Sequence, residues 1–153
     1  MREAVGGGDE PLFAMLSELQ SLKSFDFSRV RYVTNTAAAL PVKHLTLLRE
    51  LFPRARLYSM YGLTECKRVS YLPPERIADK PSSVGIAIPG TEVFVLAPDG
   101  RELPPGEIGE LVVSGPQVMA GYLEEPDRTA KAVRNGWLHT GDLGRMDADG
   151  FFY

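Results

Sequence analysis

Along the first half of the chain apolar residues recur at helical spacing; along the second they gather into short runs broken by glycine and proline. Leu12, Phe13, Leu16, Leu19 and Leu22 share one stripe, which predicts a helix over Pro11 to Leu22. Val30 to Thr34 (VRYVT) is crowded with β-branched and aromatic residues and predicts a buried strand. Asn35 to Leu40 reads as a loop. Pro41 can take the first turn of a helix, where its missing N–H is no loss, and Pro53 ends that helix. Between them Val42, Leu45, Leu48 and Phe52, with Leu51 beside them, form one apolar face, and Leu57 to Met60 predicts the next strand. Strand, helix, strand in that order predicts a βαβ unit with parallel strands and a right-handed crossover. Asn35–Ala39 and Tyr61–Glu65 would then leave the carboxyl edge of one sheet, where open α/β folds bind ligands.

The second half is punctuated differently. Pro98-Asp99-Gly100, Asn135-Gly136 and Asp149-Gly150 are turn signals that separate strands at Thr91–Leu96, Glu110–Ser114, Trp137–Thr140 and Phe151–Tyr153. Val93 to Leu96 is apolar on both faces, which predicts a strand buried in a barrel or sandwich. Glu125 to Lys131 opens a short helix with Pro and Asp in its first turn. Pro81-Ser82-Ser83 is the expected linker. The chain therefore divides into an α/β part over residues 1–80, a partial βαβ unit on a parallel sheet, and a strand-rich part over residues 81–153, a barrel or sandwich.

Composition narrows the function. With 153 residues, 44% of them hydrophobic, the chain can bury a core. A net charge of −3 with both signs scattered offers no basic track for a nucleic acid. The single cysteine, Cys66, forbids an internal disulfide, and with only His44 and His139 beside it a zinc site is not expected. The apolar runs are too short for a transmembrane segment, and with no signal peptide or lipidation motif in view the expected location is cytoplasmic.

The stretch YSMYGLTE, Tyr58 to Glu65, follows strand residues at once with a glycine, a hydroxyl and a carboxylate. YGLTE (Tyr61–Glu65), GELVVSGPQVMAGY (Gly109–Tyr122) and GWLHTGDL (Gly136–Leu143) resemble, in order and spacing, the core motifs of the adenylate-forming ligases. That superfamily comprises acyl-CoA synthetases, aryl-CoA ligases, luciferases and peptide-synthetase adenylation domains. TNTAAALP (Thr34–Pro41) stands where the family has its small-residue loop, and GWLHTGD is closer to the acyl- or aryl-CoA ligases than to the amino-acid activators.

The resemblance implies a role for each residue, and each role has a chemical reason. Tyr61 would stack on adenine. Thr64 would donate to an α-phosphate oxygen, and Glu65 would coordinate Mg²⁺, which favours hard oxygen ligands. The two oxygens of Asp142 would accept from the ribose hydroxyls. Ala38 and Ala39 would line the adenine and acyl-carboxylate side, while Gly62 and Gly141 would allow close backbone approach. Thr64 and Glu65 are thus the implied catalytic pair, acting on ATP, a small-molecule carboxylic acid and coenzyme A.

Two family parts have no counterpart in the sequence. The Ser/Thr/Gly-rich phosphate loop with its lysine would lie upstream: Gly6-Gly7-Gly8 is followed by Asp9-Glu10-Pro11, an acidic pair that repels phosphate. The Gly-Arg hinge and the lysine-bearing C-terminal lid would lie beyond Tyr153. The resemblance therefore implies an internal fragment of the large N-terminal domain, an α/β part over residues 1–80 and a small distorted β-barrel over residues 81–153, both truncated, inactive alone and completed by the missing parts of its parent chain. The alternatives are a fragment of an amino-acid-activating domain, or a truncated paralogue that binds a nucleotide or a partner without catalysis.

Each residue also has an ordinary structural reading. Tyr61 could be a sheet-end aromatic and Asp142 a turn residue. Cys66 reads as a small buried hydrophobe, His44 as a solvated helix residue, and His139 as a strand residue presenting the loop before Asp142. Gly6–Gly8 reads as a mobile terminus, and Glu107 and Glu110 as residues that cap or solvate strand ends.

Overall fold

The computed structural model describes residues 25–36 and 41–153. The expected helix over Pro11 to Leu22, the Gly6–Gly8 run and the loop residues Ala38 and Ala39 lie outside them.

The βαβ unit is present. Strand β1 (Tyr32–Asn35) runs parallel to β2 (Arg56–Tyr61), with Tyr32 opposite Arg56 and Asn35 opposite Ser59, and helix α1 (Val42–Leu51) connects them. Pro41 stands one residue earlier than expected, at the N-cap with extended backbone, and its carbonyl accepts from the His44 and Leu45 amides. Phe52 closes the helix by donating to the Leu48 carbonyl, and Pro53 prevents continuation. Leu45 and Leu48 are buried with Leu57, Leu72, Ile77 and Phe151, whereas Val42, expected on the same face, is half exposed. His44 is a second departure: it is buried, not solvated, and its Nε2 has no hydrogen-bond partner among the described residues.

Beyond β2 the sheet changes sense. Strands β3 (Ser70–Tyr71) and β4 (Ile86–Ala87) add antiparallel, giving a mixed sheet in the order β1-β2-β3-β4. The second sheet is wholly antiparallel, in the order β5-β6-β8-β7, from β5 (Glu92–Leu96), β6 (Gly109–Ser114), β7 (Val133–Arg134) and β8 (Trp137–Gly144). Asn135 and Gly136 both take positive φ, 51° and 83°, the backbone of the two-residue hairpin turn that Asn-Gly signals. Helix α2 (Pro126–Ala132) precedes that hairpin and buries none of its residues.

The expected barrel is corrected: among the described residues no sheet closes on itself. β5 and the two-residue β7 are opposite edges of the second sheet and do not pair. The apolar run of β5 misled for a related reason. Only Val95 is buried, while Phe94 packs on Trp137 at 5.0 Å between ring centroids. Phe151–Tyr153 is not a strand either; Phe152 makes isolated bridges to Gly85 and Met146. Those bridges tie the C-terminal residues to the first sheet. The Phe152 carbonyl accepts from the Val84 amide and the buried Ser83 hydroxyl, and Lys80 pairs with both Asp147 and Asp149. Among the described residues no helix is long and apolar enough to cross a membrane.

Candidate functional site

β2 ends on Tyr61, and β8 carries Asp142 to the same place. The Tyr61 hydroxyl donates to Asp142 Oδ2 at 2.7 Å, across 81 residues of sequence. Tyr61 packs beside two apolar clusters, one around Val69 and Val113 and one around Val95 and Leu111. Burial pushes its phenol far up; Asp142 adds to the rise, against an opposing hydrogen bond from Thr140. Tyr61 is therefore a proton donor at any ordinary pH. Asp142 is exposed, with lone pairs left for other donors.

What aims Asp142 is a network within β6 and β8. The Thr140 hydroxyl donates to the Leu111 carbonyl at 2.7 Å and accepts from the Asp142 amide at 3.1 Å. Glu110 Oε1 accepts from the Gly141 amide at 3.1 Å, and its Oε2 lies 2.9 Å from His139 Nδ1. A carboxylate only accepts, so His139 carries its proton on Nδ1. The register between the two strands shifts at this point, from Glu110 opposite Leu143 to Val112 opposite His139, and Gly141 turns through it with φ of 77°. Glu110, expected to cap or solvate a strand end, accepts a backbone amide; His139, expected to present a loop before Asp142, instead lies on β8, which runs on through Asp142 without a loop.

Tyr61 leads directly into the tight turn that carries Thr64 and Glu65. A Cβ on Gly62 would lie 1.8 Å from the Lys67 carbonyl oxygen, so only glycine lets the chain fold back there. Within the turn the Cys66 amide donates to the Leu63 carbonyl. Thr64 is exposed. Cys66 is 1% exposed and burial pushes its thiol up, which suits a core residue rather than a nucleophile. The Glu65 carbonyl accepts from the Met119 amide at 2.7 Å, and its Oε1 accepts from the Tyr122 hydroxyl at 2.7 Å.

The donor set fits a magnesium nucleotide. Among the described residues no three His, Cys, Asp or Glu side chains gather around a point. A cation at Glu65 would then take one carboxylate oxygen here and the rest from phosphates and water, the usual arrangement for Mg²⁺. The structure brings Tyr61 to Asp142 and Glu65 to Tyr122. Tyr122, Glu110 and Thr140 were not singled out from sequence as site residues, although all three fall inside the quoted motifs.

Comparison with known proteins identifies the family. The AMP-binding enzyme family matches residues 10–123. A long-chain-fatty-acid–CoA ligase of Escherichia coli O6:H1 is 38% identical over 145 residues, 94% of this chain and 26% of that protein. The chain thus spans about a quarter of the length of the curated relatives it matches. The crystal structure of VinN superposes with a TM-score of 0.86 at 48% identity, over 94% of this chain and 37% of VinN. VinN has also been solved in complex with L-aspartate, with 46% identity, a TM-score of 0.81, and coverage of 94% of this chain and 35% of that one. The o-succinylbenzoate coenzyme A synthetase of Bacillus subtilis in complex with AMP gives a TM-score of 0.77 at 31% identity, over 94% of this chain and 29% of that one. The chain belongs to the AMP-binding enzyme family.

Proposed function

We propose that this chain supplies the adenosine and metal side of an AMP-forming acid–thiol ligase. In that reaction a carboxylate oxygen attacks the α-phosphorus of MgATP, pyrophosphate leaves, and the thiol of coenzyme A then displaces AMP from the acyl-adenylate. The observation that carries the reading is the Tyr61–Asp142 contact. It sets an aromatic ring beside a solvent-accessible carboxylate, the pair needed to stack a base and hold its ribose hydroxyls. Thr64 would donate to the α-phosphate, and Glu65 would hold Mg²⁺, which neutralises charge developing on the phosphates. Gly62 shapes the turn and Gly141 the approach of Asp142, and Ala38 and Ala39, outside the described residues, would by the family resemblance line the adenine and acyl side.

On this reading the first measurable property of the chain is nucleotide binding at Tyr61 and Asp142. Titrating the chain with AMP by calorimetry tests the reading. Saturable binding that weakens about tenfold or more in Asp142→Ala, the loss of a charge-assisted pair, is expected. Binding indifferent to Asp142 would leave the residue a turn former.

Two substrate classes are favoured by different comparisons. The fatty-acid ligase relatives favour an acyl substrate. VinN, at higher identity and solved with L-aspartate, favours an amino acid. An adenylation assay of the parent protein on fatty, aryl and amino acids separates them.

A further inference from the structure

Helix α2 buries none of its residues and takes no part in the site as described, yet two of its side chains converge on Tyr122. The Arg128 guanidinium lies 4.0 Å from the centroid of the Tyr122 ring, and is itself held by Glu125 at 3.1 Å. Thr129 Oγ1 accepts from the Tyr122 amide at 2.9 Å and donates to the Glu125 carbonyl at 3.0 Å. The chain must pass close to Thr129 to do this, since a Cβ on Gly121 would lie 2.7 Å from Thr129 Cγ2. Tyr122 is thus fixed at its ring and at its backbone.

Tyr122 passes that constraint to Glu65. The segment that ends in Tyr122 grips Glu65 twice, through the Met119 amide on its carbonyl and the Tyr122 hydroxyl on Oε1. A glutamate has three rotatable side-chain bonds, and a single strong donor on one oxygen removes most of that freedom. With Oε1 engaged, Oε2 is the oxygen left for a cation. We infer that Tyr122, braced by Arg128 and Thr129 of α2, is a positioning residue that presents one oxygen of Glu65 to the metal of a bound magnesium nucleotide. This rests on the function proposed above and adds to it a residue pair and a helix.

The test is calorimetry of ATP binding to the whole chain, with and without Mg²⁺, for wild type, Tyr122→Phe, Glu65→Gln and the double variant. Removing a hydroxyl bonded to a charge should lower ATP affinity by roughly fivefold with Mg²⁺ present and by less without it. On the Glu65→Gln background the same change should cost nothing further in magnesium dependence, because the two groups act as a unit. Thr129→Val, which removes the acceptor of the Tyr122 amide and leaves every charge around Glu65 in place, should move the magnesium dependence the same way by about twofold. A Tyr122→Phe chain that gains as much from Mg²⁺ as wild type overturns the inference. So does an equal loss with and without Mg²⁺, or an equal loss on the Glu65→Gln background, since each marks a structural role. A wild-type chain that binds no nucleotide sinks the proposed function itself, an outcome distinct from wild-type binding that Tyr122→Phe leaves unchanged.

Discussion

Asp142 stands in the irregularity where β8 slips its register on β6, gripped between two sheets, and Glu65 on a turn braced by a loop and a short exposed helix. The Asp142 carboxylate is held by Tyr61 at the end of β2 and its amide by Thr140 of β8, while Glu110 of β6 holds the neighbouring Gly141 amide. The side-chain partner of Glu65 comes from residue 122, beyond the end of β6, and is steadied by a helix with no buried residue. On the proposed function the difference has a use. A nucleoside is a rigid ligand that rewards a carboxylate fixed between two sheets, whereas Glu65, held through Tyr122, would keep one oxygen turned to a cation shared with phosphates.

The largest effect expected concerns the turn that joins the two regions. Gly62→Ala places a methyl 1.8 Å from the Lys67 carbonyl, so the backbone of residues 62–67 must open. A cost on the order of 3 kcal/mol or more in urea unfolding is expected, in the range of severe backbone strain. Gly141→Ala is the contrast, because nothing lies within 4 Å of its Cβ and only the φ of 77° resists. About 1 kcal/mol is expected there. Equal costs would mean that the turn yields as easily as the strand.

Next comes a comparison of the carboxylates themselves. Asp142→Ala should weaken AMP binding in the absence of metal by about tenfold, whereas Glu65→Ala should lose more with Mg²⁺ present than without it. Matching losses from the two variants under both conditions would erase the division of labour.

Acid should separate the regions as well, through the contacts that fasten the C-terminal residues to the first sheet. Burial pushes Asp147 up, but Lys80, the Phe151 and Asp149 amides and the Tyr153 hydroxyl together bring it down to about 2. A carboxyl whose folded value lies below its unfolded one, about 3.9, stabilises the fold above that unfolded value and loses the contribution as pH falls towards 2. Thermal melting between pH 5 and about 2 should therefore steepen in wild type and flatten in Asp147→Asn. A variant with an unchanged acid slope would show that other carboxylates govern it.

Much of this was legible in sequence, and the reason is locality. The βαβ unit, both hairpin-type turns at Asn135-Gly136 and Asp149-Gly150, and the motif residues Tyr61, Glu65 and Asp142 are signalled by neighbours a few positions away. Barrel closure is a relation between the ends of distant strands, and an apolar run such as Val93 to Leu96 cannot report it. Strand β8 outran its expected end at Thr140 because Gly141-Asp142 looks like a turn, while the ladder resumes past it to pair Gly144 with Gly109. The bracing of Glu65 by Tyr122 spans 57 residues, and only the motif ending at Tyr122 hinted at it.

The smallest effect expected tests whether the sheet scaffold of Asp142 is as stiff as its bonding implies. Glu110→Gln keeps a carbonyl oxygen that can still accept from the Gly141 amide, but sets an amide N–H₂ against the protonated Nδ1 of His139. His139 can answer by moving its proton to Nε2 and accepting at Nδ1, so the backbone at Gly141 need not shift. AMP affinity should therefore fall no more than about twofold in Glu110→Gln, and roughly fivefold in Glu110→Ala, which abandons both partners. Exposed Glu107, two residues before the ladder begins, serves as the control, and Glu107→Gln should change nothing measurable. If Glu110→Ala binds AMP like wild type, Thr140 alone aims Asp142, and the sheet-borne carboxylate is held as lightly as the one on the turn.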